Sequence, residues 1–168
     1  MIKQTLQDAI NSQINKEFFS EYYYLSMAAY FESEDLPGFA NFFKVQVEEE
    51  RFHAMKFFDY LNERGGKVNL TGIDTPKTDF ESPLQVFELA YKHEQYVTES
   101  VNGLMDIAIK ENDHALKSFL QWFIDEQVEE EATMSKYVNQ LKRLNGNGHG
   151  IMMLDRELAQ RSFVPPVK

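Results

Sequence analysis

Residues 46–57 read QVEEERFHAMKF, and they decide the fold. They sit inside a longer run in which Phe39, Phe42, Gln46, Glu50, His53, Phe57 and Tyr60 recur at steps of three and four. That spacing is the buried stripe of an α-helix. Its middle is polar. An unpaired buried carboxylate costs several kcal/mol or takes up a proton, so Glu50 and His53 in an apolar seam need an explanation.

The same pattern occurs three more times. Ile10, Glu17, Tyr24 and Phe31 recur at sevens. Leu84, Phe87, Tyr91, Glu94, Thr98, Val101 and Met105 form a third stripe. Leu116, Phe123, Glu130, Tyr137 and Leu144 form a fourth, with Leu120, Gln127, Met134 and Leu141 interleaved. Each stripe is broken near its middle: by Glu17, by Glu50 with His53, by Glu94, and by Gln127 with Glu130. None of these seams carries a Lys or Arg at that level. A bound metal is the economical counter-charge. Carboxylates with a single imidazole suit iron or manganese better than copper or a structural zinc.

The stripes predict long helices over about Leu6 to Glu32, Leu36 to Arg64, Pro83 to Glu111 and Asp113 to Leu144, with a short one over about Ile151 to Arg161. Ser82, Pro83 and Gln85 form a start signal for the third, and Asn112-Asp113 caps the fourth. Residues 145–150, NGNGHG, read as a loop. The first and second helices, and the third and fourth, are joined by a few residues, so each pair is an antiparallel hairpin. The second and third are joined by about 17 residues, Gly65 to Glu81, long enough to run the length of a bundle. The reading is all-α: one domain over residues 1–168, a four-helix bundle over about 6–144 with one long crossover, and a short fifth C-terminal helix.

The two hairpins repeat one plan. Glu17 lies 33 residues before Glu50, and Glu94 lies 33 before Gln127. At an offset of 77, His53 pairs with Glu130, Glu49 with Glu126, Phe42 with Phe119 and Tyr60 with Tyr137. This predicts a pseudo-two-fold site between the hairpins.

Composition narrows the classes. In 168 residues, 17 Lys and Arg face 27 Asp and Glu, a net charge of −10, which argues against binding nucleic-acid phosphates. There are no cysteines, so thiol nucleophiles, zinc ribbons and Cys-ligated clusters are excluded. No apolar run approaches the ~20 residues of a membrane span, and the N-terminus lacks a signal-peptide layout, so a cytoplasmic protein is expected.

With EEERFH at 48–53, YKHEQ at 91–95 and FLQWFIDEQVEEE at 119–131, the chain resembles the ferritins, most closely the bacterial and archaeal non-haem branch. The resemblance covers essentially the whole chain. It implies a ferritin-like fold and an intra-subunit dinuclear centre that oxidises Fe(II) with dioxygen. Glu17, Glu50 and His53 match the ligands of the first iron. Glu50 bridges to the second, whose ligands match Glu94 and Glu130, with Gln127 as its polar neighbour. Glu49, Glu126 and Glu129 match a third nearby iron site that shares Glu130. Tyr24 and Trp122 match aromatic residues beside the centre. The catalytic set implied is therefore Glu17, Glu50, His53, Glu94, Glu130, Gln127 and Tyr24. A homo-oligomeric shell of 24 subunits storing ferric oxyhydroxide is also implied.

Departures from related branches sharpen this. Haem-bearing bacterioferritins carry a second Glu-x-x-His and a haem-ligating Met where this chain has Gln127/Glu130 and Phe52, so no haem is expected. Rubrerythrins need cysteines. A non-catalytic iron-buffering shell is the alternative. A diiron enzyme acting on an organic substrate would need the missing second Glu-x-x-His. Taken singly, His93 and His114 read as surface or capping residues, and His149 as a solvent-facing loop residue.

Overall fold

A computed structural model describes residues 1–167; Lys168 lies outside the described residues. Five helices follow in order: α1 (Gln4–Ser33), α2 (Pro37–Glu63), α3 (Pro83–Lys110), α4 (His114–Leu144) and α5 (Gly148–Leu158). The four long helices form a bundle, with α5 laid against α2 and α4.

Local chemistry sets the ends. Ser82 Oγ accepts from Gln85 N–H, and Asp113 Oδ1 from Leu116 N–H, as the start signals require. Gly65 stops α2 at φ +70°, a left-handed conformation that glycine adopts without steric cost. The fifth helix starts three residues earlier than the sequence suggests and ends at Leu158. Asn147 Oδ1 accepts from Gly150 N–H, so much of the supposed loop is a capped first helical turn. The third stripe is also rotated. Ala90, Val97 and Leu104 are buried, while Tyr91, Thr98 and Met105 lie half-buried on its flank.

The core lies in two apolar halves. One joins Tyr24, Met27 and Phe31 of α1 to Phe39, Phe42 and Phe43 of α2, Phe87 of α3 and Met134 of α4. The other joins Leu6, Ile10 and Ile14 to Phe57 and Leu61, Leu104 and Ala108, and Leu116 and Phe123. The C-terminal halves of α2 and α3 thus meet the N-terminal halves of α1 and α4, so α2 and α3 run parallel, as the long crossover predicts. Between the two halves lies a buried polar layer.

The crossover is held along α1 by a ladder of amides. Gln7 Oε1 accepts from Lys67 N–H at 2.8 Å, Asn11 Oδ1 from Asn69 N–H at 2.7 Å, and Asn15 Nδ2 donates to Thr71 Oγ1 at 2.9 Å. Further along, Ser26 Oγ donates to the Lys77 carbonyl at 2.6 Å, and Tyr30 packs against Phe80. Each amide serves a segment of chain that has no secondary structure of its own to satisfy its backbone groups.

The start of α2 is capped from far away. Leu36 offers no side-chain cap, and the N–H groups of Gly38 and Phe39 donate instead to buried Asp155 Oδ1 of α5, at 2.8 and 3.0 Å. A Cβ at Gly38 would fall 1.6 Å from the Asp155 carbonyl oxygen. Gly38→Ala must therefore lift α5, losing the cap and the burial of Leu154 and Leu158. We expect a loss of about 2 kcal/mol or more in denaturant unfolding, against about 1 kcal/mol for Asp155→Ala. Equal stability of Gly38→Ala and the unaltered protein would contradict this.

Candidate metal centre

The polar layer is built from the positions that interrupt the four stripes. Glu17, Gln46, Glu50, His53, Glu94, Gln127 and Glu130 are all buried, the least covered being Glu130 at 5% exposure. His53 Nδ1 lies 3.5 Å from Glu50 Oε2 and 3.9 Å from Glu17 Oε2. Ligand atoms of Glu17, Glu50 and His53 all fall within 4.8 Å of one another, close enough to hold one metal ion. Glu94 and Glu130 occupy the same layer but are held by other partners.

Each of those partners has a place in the geometry. Gln127 Nε2 donates to Glu94 Oε2 at 3.0 Å and to Thr98 Oγ1 at 3.2 Å. The Tyr24 hydroxyl donates to Glu94 Oε1. Gln46 Nε2 donates to Glu130 Oε2 at 3.0 Å, and Gln13 Nε2 to Glu17 Oε1 at 2.7 Å. Gln13 is fixed in turn by Ser100, whose Oγ donates to its Oε1. Neither Gln13 nor Gln46 figured among the expected site residues. Gln46 stood in the second stripe, and a polar residue one turn before Glu50 was the available signal.

Electrostatics mark the layer as unfinished. Burial, reinforced by the charges of Glu94, Glu17 and Glu130, pushes the Glu50 carboxyl well above the ordinary carboxylate range. Burial likewise raises Glu94 to about 7 and Glu130 to about 8. Tyr24 is held well above its usual value, by burial first and by Glu94 and Glu50 next. Among the described residues, Glu17 Oε2, Gln46 Oε1 and Glu50 Oε1 are buried acceptors without a hydrogen-bond partner. Orphaned buried acceptors cost about 1–3 kcal/mol each. A cation would meet these oxygens and neutralise the carboxylates together. The donor set therefore fits a hard divalent or trivalent metal.

The expected third-site acids lie at the rim. Glu49 and Glu126 are half-buried and Glu129 is exposed. Burial raises the Glu126 carboxyl, with Glu129 and Glu49 adding to the rise and His53 opposing it. Glu49 Oε2 is engaged by Arg161 at 2.8 Å. Trp122 stands beside the centre, its ring 5.5 Å from that of His53.

His93 is not the surface or capping residue that its sequence context suggests. It is nearly fully buried, ringed by Phe19, Tyr23, Tyr24 and Tyr96. Its Nε2 shares a 2.7 Å hydrogen bond with Ser20 Oγ, and burial lowers its pKa to about 4, so it stays neutral.

Known proteins share this fold and sequence. A family model described as the ferritin-like domain matches residues 7–144. The bacterial non-heme ferritin of Staphylococcus saprophyticus is 44% identical over 163 residues, 97% of this chain and 98% of that protein. The bacterial non-heme ferritin of Staphylococcus aureus strain MRSA252 is 41% identical over the same shares. Among solved structures, a humanised archaeal ferritin superposes with a TM-score of 0.97 at 45% identity, covering 98% of this chain and 100% of that one. An open-pore ferritin from the hyperthermophilic archaeon Archaeoglobus fulgidus superposes with a TM-score of 0.95 at 44% identity, covering 96% and 100%. This chain belongs to the ferritin family.

Proposed function

We propose that this chain stores iron and acts as a ferroxidase, oxidising Fe(II) to Fe(III) with dioxygen at the centre between its two hairpins before the iron is deposited as ferric oxyhydroxide. Iron storage is the work of the family whose fold the chain carries over nearly its full length. The observation that carries the oxidation step is the buried layer itself. It holds four carboxylates and one imidazole, with oxygens left unpartnered on Glu17 and Glu50.

In this reading Fe(II) is the substrate. Glu17, Glu50 and His53 hold one ion; Glu50, Glu94 and Glu130 hold the second, so that Glu50 serves both. Gln127 and Tyr24 orient Glu94, and Gln13 and Gln46 orient Glu17 and Glu130. Fe(III) is the harder ion and gains more from anionic oxygen than Fe(II) does, so a layer dominated by carboxylates favours the oxidised product. Two Fe(II) give one electron each to one dioxygen, which takes up two protons and leaves as hydrogen peroxide. Glu49, Glu126 and Glu129 are assigned to a third iron position. Two of its relatives in solved structures are archaeal ferritins, and a homo-oligomeric shell fits that likeness. We assign 24 subunits and a cytoplasmic place on the family pattern. Among the described residues no helix is long and apolar enough to cross a membrane.

Stopped-flow absorbance after mixing metal-free protein with two Fe(II) per subunit and oxygen tests the proposal. Glu94→Ala and Glu130→Ala should each slow the fast phase by about a hundredfold, at or beyond the upper end of losses for supporting residues at metal sites. A slow rise unchanged in both variants would put the non-catalytic iron-buffering shell in its place.

A further inference from the structure

Beyond α5 the chain doubles back over the face shared by α2 and α4, and it brings a cation with it. Arg161 Nη2 donates to Glu49 Oε2 at 2.8 Å, and Nη1 to the Phe42 carbonyl at 3.3 Å. The guanidinium lies over the Phe42 ring, 4.3 Å from its centroid. Asn41 Nδ2 pins the backbone on either side, donating to the carbonyls of Leu158 and Arg161 at 3.0 and 2.9 Å. Two residues on, Phe163 meets Phe52 at 6.3 Å between ring centroids, and Phe52 meets Trp122 at 6.0 Å.

A guanidinium stacked on an aromatic ring and anchored to a carbonyl is preorganised, so it holds its carboxylate with little further loss of freedom. The carboxylate it holds is not isolated. The charge of Glu49 is felt at both Glu126 and Glu130, and that of Glu129 at Glu126. With Glu49 held by Arg161, only Glu17, Glu50 and His53 among the described residues bring their ligand atoms within 4.8 Å of one another. The Arg161–Glu49 pair is about three-quarters covered, with side-chain exposures of 24% and 23%.

We propose that Arg161 is the resident counter-cation of the Glu49–Glu126–Glu129 group, and that a divalent ion fills that group only by displacing the guanidinium from Glu49. This rests on reading those acids as a third iron position. Arg161 is then a positioning residue that ranks the sites. Among the described residues no Lys or Arg forms an ion pair with Glu17, Glu50, Glu94 or Glu130, so the inner centre fills first. The rim fills later, once the ion outcompetes Arg161. Displacement also removes one tie on the segment carrying Phe163, which touches Phe52 beside Trp122, the only tryptophan of the chain.

The test is a Zn(II) titration of the metal-free assembled protein, followed by calorimetry and by Trp122 fluorescence. Zinc accepts carboxylate and imidazole ligands without redox chemistry. Wild type should bind three ions per subunit, the third most weakly and with a change in Trp122 emission. Arg161→Gln should tighten the third step about fivefold, the upper end for a partly exposed ion pair, and leave the first two unchanged. Arg161→Lys should fall between wild type and Arg161→Gln, because the charge is retained while the stacked, carbonyl-anchored guanidinium is lost. Glu49→Gln should abolish the third step in either background. Equal third-step affinity in wild type and Arg161→Gln would overturn the role of Arg161 while leaving the third position standing. Two ions per subunit in every variant would overturn the third position and this proposal together, and the stopped-flow result for the inner centre would be untouched.

Discussion

Glu50→Gln is expected to raise the stability of the metal-free protein while cutting Fe(II) oxidation by about a hundredfold or more. Both effects come from one carboxylate. Glu50 is 1% exposed, one of its oxygens has no partner, and Glu94, Glu17 and Glu130 all repel its charge. Without metal it is a burden to the fold. A glutamine has nearly the same shape, carries no charge, and brings an N–H₂ that can donate to the unpartnered Glu17 Oε2. An uncompensated buried charge costs several kcal/mol unless it is paired or protonated, so removing it is expected to gain on the order of 1 kcal/mol or more. The gain has a sign with pH. Because the Glu50 carboxyl titrates well above the ordinary range, it is protonated and nearly glutamine-like at low pH, so the advantage of Gln grows as pH rises. Iron handling moves the other way, since the shared anionic ligand is gone. Thermal unfolding of both metal-free proteins at pH 6 and 9, with Fe(II) oxidation followed separately, checks the pair of effects. A metal-free Glu50→Gln protein less stable than wild type at pH 9 would show that Glu50 is held for the fold and not for a cation.

How much of this was legible in the sequence depends on the physics of each part. The stripes through Ile10, Glu17, Tyr24 and Phe31, and through Phe39 to Tyr60, are buried as read, because a seven-residue repeat follows a single helix face. The level at which Glu17, Glu50, Glu94 and Glu130 meet was legible too, since each sits mid-helix and the hairpins repeat at a fixed offset. The third stripe drifted because α3 presents a face two columns wide. Taking the column through Tyr91 and Thr98 missed the neighbouring one through Ala90 and Val97, and with it the burial of His93.

What stayed hidden depends on partners distant in the chain. Asp155 looks like an ordinary helix acid until α5 lands on the start of α2, and only the superposition of two elements makes it a cap. Gln13 and Gln46 carry no motif; they matter because each spends its amide on a carboxylate of the layer. Arg161 closes the short helix expected from the sequence, yet the chain leaves that helix at Leu158 and carries the guanidinium onto Glu49.

Raising the pH should progressively destabilise the metal-free protein and leave the metal-loaded protein nearly indifferent. Burial holds the Glu94 carboxyl at about 7 and Glu130 at about 8, whereas both would titrate near 4.3 in an unfolded chain. Between the unfolded and folded values the native state binds more protons than the unfolded state, so unfolding free energy falls as pH rises through that window. The stability is fully present below about pH 4.3 and is lost by the time Glu130 has ionised above about pH 8. Asp113, held low by its hydrogen bonds with Arg64, acts in the opposite direction and only at acid pH, outside this window. A divalent ion reverses the cost, because it takes the carboxylates in their ionised form and expels the protons. Zn(II) should therefore stabilise the protein more at pH 8.5 than at pH 5.5, by several kcal/mol as an order of magnitude. Its binding at pH 6.5 should release protons that calorimetry in buffers of different ionisation enthalpy can count. A metal-free melting temperature flat from pH 5.5 to 8.5, with no proton release on binding, would mean the layer is solvated or already paired. With the predicted slope and release, the four carboxylates are a site whose free energy is recovered only by the cation they bind.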